Sequence, residues 1–300
     1  MTTASRATAA APPALVRAMP AVFVLIWSTG FVVARFGMPH APPMSFLVWR
    51  FALSLAAFGV WIALTRPAWP RNPAQWLHLS VTGVLIHTGY LGGVWSAIRA
   101  GMPAGTVALI VGLQPVLTAL WLSRAGAEHR VSPQQWLGLG LGLAGLVLVV
   151  WRKLGVGEVT PYNLVLSLLA LVSITVGTLW QKRFVAPCDV RTANTVQLLA
   201  AFVVTLPLAL LETAPIDLHP EFIGAMAWSV LVLTLGGSSL LFMLIQRGAA
   251  TRVTSLLYLV PPCTAFLAWI LFGEALSLLV IVGLALTALG VWLVVRQPPS

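Results

Sequence analysis

His87 and Tyr90 stand three residues apart in a strongly apolar stretch, with Trp95 a little further on. Side chains three or four positions apart share one face of a helix, so an imidazole, a phenol and an indole are presented together. Such a face stacks an aromatic or planar ligand, and its imidazole is a proton-sensitive group near neutral pH. A histidine hydrogen-bonded between packed helices is the plainer reading of the same residues. Arg50, directly after Trp49, is a second candidate. Its guanidinium attracts a carboxylate or phosphate, unless its long apolar stem carries the charge out to a headgroup layer. Trp27, Gln114, Trp180, Gln181, Asn194, Gln197 and Tyr258 are the remaining polar or amphipathic side chains suited to line a shared path. Helix packing explains each of them taken singly.

Other chemistry is poorly supplied. No Asp or Glu falls in the middle of an apolar segment; Glu128 and Glu274 lie at segment ends, as solvated carboxylates or as salt-bridge partners near a mouth. A carboxylate proton relay or a carboxylate-held metal is therefore not expected. Cys188 and Cys263 lack metal-ligand spacing. The only lysines, Lys153 and Lys182, do not stand in a phosphate-cradling glycine loop, so neither ATP nor another cofactor is expected. Ser239 in Gly237-Ser238-Ser239 pairs with His87 as nucleophile and base only by residue type, and helix packing or backbone-bonded serines explain that triplet better. An enzyme is the weaker reading.

The elements that position these groups follow from composition. Of 300 residues 59% are hydrophobic and 8% charged, against about 25% charged in an ordinary soluble domain. Apolar runs near the ~18 residues needed to cross hydrocarbon recur along the chain. They predict helices at roughly 19–38, 44–64, 74–98, 103–123, 133–151, 161–182, 192–211, 221–245, 251–272 and 276–295. Residues 1–18 read as a disordered cytoplasmic tail and 297–300 as a second tail. Arg6 and Arg17 precede the apolar Ala21–Val33, but no small-x-small cleavage pattern follows, so this segment is expected to be kept as a helix. The formal charge of +10 is spread singly between apolar segments, which excludes a concentrated nucleic-acid face.

Asn72-Pro73-Ala74-Gln75 and Ser132-Pro133-Gln134-Gln135 each offer an N-cap, a first-turn proline and a glutamine at the third position; Thr160-Pro161 and His219-Pro220-Glu221 are weaker versions. With the amino terminus inside, alternate loops place Arg6, Arg17, Arg66, Arg71, Arg124, Arg130, Lys182, Arg183, Arg191, Arg247, Arg252 and Arg296 on the cytoplasmic side. Only Arg35, Arg99, Arg152 and Lys153 fall outside. Both termini are thus expected in the cytoplasm, which requires an even helix number. Trp69, Trp76, Trp136 and Trp151 fit an interfacial aromatic belt. Gly89 with Gly93, Gly101 with Gly105, and Gly138 with Gly142 have the small-xxx-small spacing of close helix packing; a homodimer contact through Gly138-x-Gly140-x-Gly142 is the alternative use.

The chain also repeats itself. Ala97-Ile98-Arg99-Ala100-Gly101 followed by Leu113-Gln114-Pro115 corresponds to Leu244-Ile245-Gln246-Arg247-Gly248 followed by Leu259-Val260-Pro261. Glu128, Ser132, Gly138 and Gly145 match Glu274, Ser277, Gly283 and Gly290, and Arg35-Phe36 matches Arg183-Phe184. Five helices per copy is odd, so the copies enter a bilayer from opposite sides. The fold expected is an all-α integral membrane protein, ten transmembrane helices as two inverted five-helix repeats, 19–152 and 153–296. Pro115 and Pro261 are equivalent helix-break or hinge candidates, and inverted repeats with broken helices mark secondary transporters.

With Trp27-Ser28-Thr29-Gly30, Pro43 to Arg50-Phe51 and the paired Pro-to-Glu-to-Gly patterns ending at Gly145 and Gly290, the chain resembles the drug/metabolite transporter superfamily in its EamA-like ten-helix branch. The first copy departs from the pattern at Ala127-Glu128-His129-Arg130. The resemblance implies a multi-pass carrier of the bacterial inner membrane that often exports amino acids or other small metabolites from a cavity between its halves. Its expected partners are a small-molecule substrate and the lipid bilayer. Expected function is alternating-access transport of an amino-acid-like or related polar molecule, with an uncoupled channel or facilitator and an intramembrane enzyme as alternatives.

Overall fold

The computed structural model describes residues 14–124, 132–155, 157–240 and 259–295. These residues form ten apolar helices and no strand. They are α1 (Ala14–Gly37), α2 (Pro43–Thr65), α3 (Pro73–Arg99), α4 (Ala104–Val111 continuing as Gln114–Arg124), α5 (Pro133–Gly155), α6 (Pro161–Phe184), α7 (Val190–Leu210), α8 (Pro220–Ser238), α9 (Val260–Phe272) and α10 (Leu278–Val295). Their outward faces are the apolar ones: Leu64, Leu210, Leu211 and Trp151 are each at least three-quarters exposed. In water so large an apolar surface would aggregate, whereas in hydrocarbon it is the solvated face. Trp69 and Trp76 stack with ring centroids 5.6 Å apart beside the α2–α3 loop.

Local chemistry explains most helix starts, with some departures from expectation. The Asn72 side chain accepts the Ala74 N–H, but Gln75 does not close a capping box. Its amide instead reaches across to the α6–α7 loop, donating to the Ala186 carbonyl at 2.8 Å and accepting the Ala186 N–H at 3.1 Å. Thr160, expected to be a weak cap, makes a full reciprocal box, because Asn163 is short enough to reach back to the Thr160 N–H at 2.8 Å. Helix α1 begins at Ala14, inside the segment expected to be a tail, since Ala-Leu-Val-Arg-Ala-Met contains good helix formers.

The helix pairing follows the exchange of one half for the other. The pairs α1–α9 and α6–α4 correspond, as do α2–α8 and α7–α3, while α2–α7 and α5–α10 map onto themselves. The α5–α10 pair is the most extensive in the molecule. It is built on the repeat's equivalent glycines: a Cβ on Gly290 would stand 2.4 Å from the Gly138 carbonyl, and one on Gly145 would stand 2.5 Å from the Gly283 carbonyl. Gly138 and Gly142 are thus spent on α10 within one chain, and Gly140 has open space before it. Gly93 packs on Leu166 and Ala170 of α6. The chain is an all-α membrane protein of ten spans arranged as two inverted five-helix repeats.

Candidate functional site

Two helices depart from α geometry at equivalent places. Val84–Leu91 of α3 and Ser229–Ser238 of α8 are wound as wide π-type turns, and the shift of one residue re-aims every side chain beyond it. In α8 the hydroxyls of Thr234 and Ser238 donate to carbonyls five residues back, at 2.8 and 3.5 Å. Both wide segments face a central cleft lying between α1, α2 and α3 of the first half and α6, α7 and α8 of the second.

Eight residues singled out by sequence line this cleft. Trp27 comes from α1, Arg50 from α2, and His87, Tyr90 and Trp95 from α3. Gln181 of α6 with Asn194 and Gln197 of α7 form the opposite part of the wall. The Trp27 and Tyr90 rings are parallel within 3° with centroids 6.5 Å apart. Arg50, only 5% exposed, donates from Nε to the Thr234 hydroxyl at 3.2 Å, and its guanidinium carbon lies 5.9 Å from the Trp95 ring centroid. His87 faces Gln197 and meets Phe51 edge-on, yet neither its Nε2 nor the Gln197 amide nitrogen completes a hydrogen bond. Asn194 spends its amide on the Val190 carbonyl one turn back. Gln197 is brought to the wall by Gly83: a Cβ there would stand 2.2 Å from the Gln197 carbonyl, so only glycine permits this approach of α3 to α7.

Two other candidates, Gln114 and Trp180, lie elsewhere. Gln114 donates to the Thr178 hydroxyl at 3.0 Å and lines a smaller adjoining cleft with Pro115, which shares Trp27 and Phe31 with the central one. Trp180 packs with Phe184 and His78, away from the cleft, because it lies one residue before Gln181 and so points to a different face of α6. Tyr258, like Glu128, lies outside the described residues. The break associated with Pro115 falls at Gly112 and Leu113, and Pro115 itself begins the second part of α4, as Pro261 begins α9. Gly112 abuts the Pro261 ring, where an added Cβ would be 2.6 Å from its Cγ, so the break in α4 lies against Pro261 of α9.

Sequence reading missed the apolar wall, chiefly Phe31, Ile86 and Leu233, and missed Thr234 as the partner of Arg50. Apolar residues in apolar helices carry no distinguishing signal. Ser239 and His87 are not bonded to each other: among the described residues the Ser239 hydroxyl and His87 Nε2 each find no hydrogen-bond partner.

Most of the described carboxylates gather at the end of the molecule holding the α1–α2, α3–α4, α7–α8 and α9–α10 loops, whereas Asp189 lies in the α6–α7 loop at the other. Glu212 accepts the N–H groups of Met44 and Ser45 at 3.0 and 2.7 Å and the Ser45 hydroxyl at 2.8 Å, capping the start of α2. Glu274 accepts the Ala104 and Gly105 N–H groups at 3.0 and 3.4 Å, capping the start of α4. It is therefore not freely solvated, and among the described residues it makes no salt bridge, because the unpaired donors and positive dipole of a helix start compete for it. His40 places Nδ1 3.1 Å from Asp217 and Nε2 3.2 Å from Glu221. These carboxylates, Glu221 foremost, raise its pKa above the ordinary 6.5. His40, His219 and Glu221 bring three metal-capable atoms within 4.8 Å of one another. Both His40 nitrogens are taken by carboxylates and His219 Nδ1 accepts the Glu221 N–H, so the group is arranged as a hydrogen-bonded latch.

Comparisons with known proteins agree on the class of molecule. The model of the EamA-like transporter family matches residues 18–151 and again 162–296. A "Probable amino-acid metabolite efflux pump" of Salmonella typhimurium is 26% identical over 280 residues, covering 90% of this chain and 91% of that protein. The "Uncharacterized inner membrane transporter YedA" of Escherichia coli K12 is 26% identical over 258 residues, covering 84% and 81%. A solved crystal structure shares the fold with a TM-score of 0.65 at 18% identity, over 92% of this chain and 94% of that one.

Proposed function

Because the chain belongs to the EamA-like transporter family, we propose that it is a secondary transporter that moves a small amino-acid-like or related polar organic molecule across the bacterial inner membrane by alternating access. The observation that carries the reading is the cleft between the two halves, lined by Arg50, His87 and an aromatic wall at membrane depth. Ionisable and polar groups there are costly and mark substrate paths. The repeats, 19–152 and 153–296, rock about this cleft, and export is the direction supported by the name of the Salmonella relative. Both termini face the cytoplasm in this reading, which the distribution of Lys and Arg supports. The end bearing Glu212, Glu274 and His40 is then the outer one. No step of chemistry on the substrate is assigned.

Uptake of labelled amino acids and related metabolites into liposomes holding the purified protein tests this reading, beside His87→Ala and Arg50→Ala. Saturable uptake that collapses in either variant is the expected result. Absence of uptake across a broad panel would sink the carrier assignment. Repeating the assay with an imposed pH gradient decides between proton antiport and facilitated diffusion.

A further inference from the structure

The whole chain has seven carboxylate side chains. Asp189 caps α7 and binds Arg191. Glu158 sits in the α5–α6 loop, and Glu212, Asp217, Glu221 and Glu274 make the contacts described above. The seventh, Glu128, lies outside the described residues. Among the described residues, then, no carboxylate lines the central cleft, while a cation does. Among the described residues, the one hydrogen bond Arg50 makes is through Nε to a neutral hydroxyl.

A guanidinium does not shed its proton to escape this position. Its ion is removed from water with no counter-ion, which is strongly unfavourable in a low-dielectric interior. The nearby Gln197 amide nitrogen and His87 Nε2 are also buried and unpartnered. An amide nitrogen is a donor only, and an imidazole nitrogen donates in one of its forms. The cleft therefore combines a positive charge with a buried amide donor, walled on the other sides by Trp27, Phe31, Tyr90 and Leu233.

Charge balance ranks the cargoes such a cleft accepts. A monoanion neutralises it; a zwitterion leaves one positive charge and introduces an ammonium without a carboxylate; a cation adds a second positive charge. A carboxylate also matches the planar fork of a guanidinium with two parallel hydrogen bonds. Building on the carrier reading, we propose that the preferred cargo is a small organic monoanion, a carboxylate with an apolar or aromatic remainder and no free ammonium group, such as an aryl-alkanoic acid or an N-acylated amino acid. Free zwitterionic amino acids are secondary cargoes.

The test uses the full chain in lipid nanodiscs and in liposomes, with four ligands that share a phenyl group: 3-phenylpropionate, N-acetylphenylalanine, phenylalanine and 2-phenylethylamine. Binding is read from tryptophan fluorescence, since Trp27 and Trp95 line the cleft. The monoanions are expected to bind at least about tenfold more tightly than phenylalanine, with the amine weakest. Arg50→Lys should keep that order with weaker binding, and Arg50→Gln should flatten it. The wild-type order stands as a test whether or not these variants fold. Phenylalanine or phenylethylamine binding as tightly as phenylpropionate overturns the proposal, as does absence of binding by all four. Binding in the expected order without saturable flux in liposomes overturns the carrier reading and leaves the charge preference standing.

Discussion

His40 holds a carboxylate at each of its two ring nitrogens, and only an imidazolium donates from both. Its pKa is raised in the folded protein by Glu221 and Asp217, so the latch contributes fully below the unfolded value near 6.5 and is lost as pH rises through the higher folded value. The melting temperature of the wild type should exceed that of His40→Gln at about pH 5.5 and approach it by about pH 9. An unchanging difference across that range would mean that the latch does not titrate. Asp217 and Glu221 are well exposed, so the effect is small. Thr234→Val removes the one hydrogen-bond acceptor given to Arg50 and should cost about 1.5–3 kcal/mol in denaturant unfolding. Sequence made Arg50 legible because a cation stands out in an apolar run. Thr234, 184 residues away, did not stand out, since a threonine in a membrane helix is ordinary until its partner is known.

The ten helices were legible as elements, because each apolar run is bounded by proline, glycine or charge; apart from the expected end of α8 and start of α9, which lie outside the described residues, the helices start and stop within a few residues of those boundaries. The wide turns of α3 and α8 were not. They change which carbonyl each N–H meets without changing composition, and apolar periodicity over eight or ten residues does not resolve the difference. The sharing of one wall by His87 and Tyr90 was expected from α spacing and arises in a π-type segment. The gap in α4 was foreshadowed by Pro115, although it opens at Gly112 and Leu113, where the proline ring would meet the carbonyl four residues back. Gly83 was passed over because a glycine in a helix announces no partner. Gly83→Ala drives a methyl into the Gln197 backbone and is expected to destabilise the protein by about 1–3 kcal/mol. Gly59→Ala, with open space around it, serves as the control and should leave thermal unfolding unchanged or raise it slightly.

At the scale of the molecule, the contacts across one end hold the halves together while the lining of the cleft runs toward the other. Gln181 and Asn194 lie within about a turn of the far ends of α6 and α7. On the alternating-access reading proposed above, opening of the capped end requires Glu212 and Glu274 to release the starts of α2 and α4. Glu212→Gln with Glu274→Gln should therefore shift the population toward the state open at that end. The readout is faster labelling, by an impermeant thiol reagent added on that side, of a cysteine placed at Val94 in a background lacking Cys188 and Cys263. Unaltered labelling would show that these caps do not govern opening. The repeat itself was legible from the matched glycines and prolines, but its use was not, since spacing alone does not say that Gly138 meets Gly290 and Gly145 meets Gly283. That reciprocal seam has a consequence for how the chain is made. The fifth helix leaves the ribosome long before its partner, the tenth, so its row of glycine backbone waits against lipid until the last segment of the chain is inserted. A chain stopped after Phe272 would carry every residue of the central cleft described here and still present that unclosed seam to quality-control proteases.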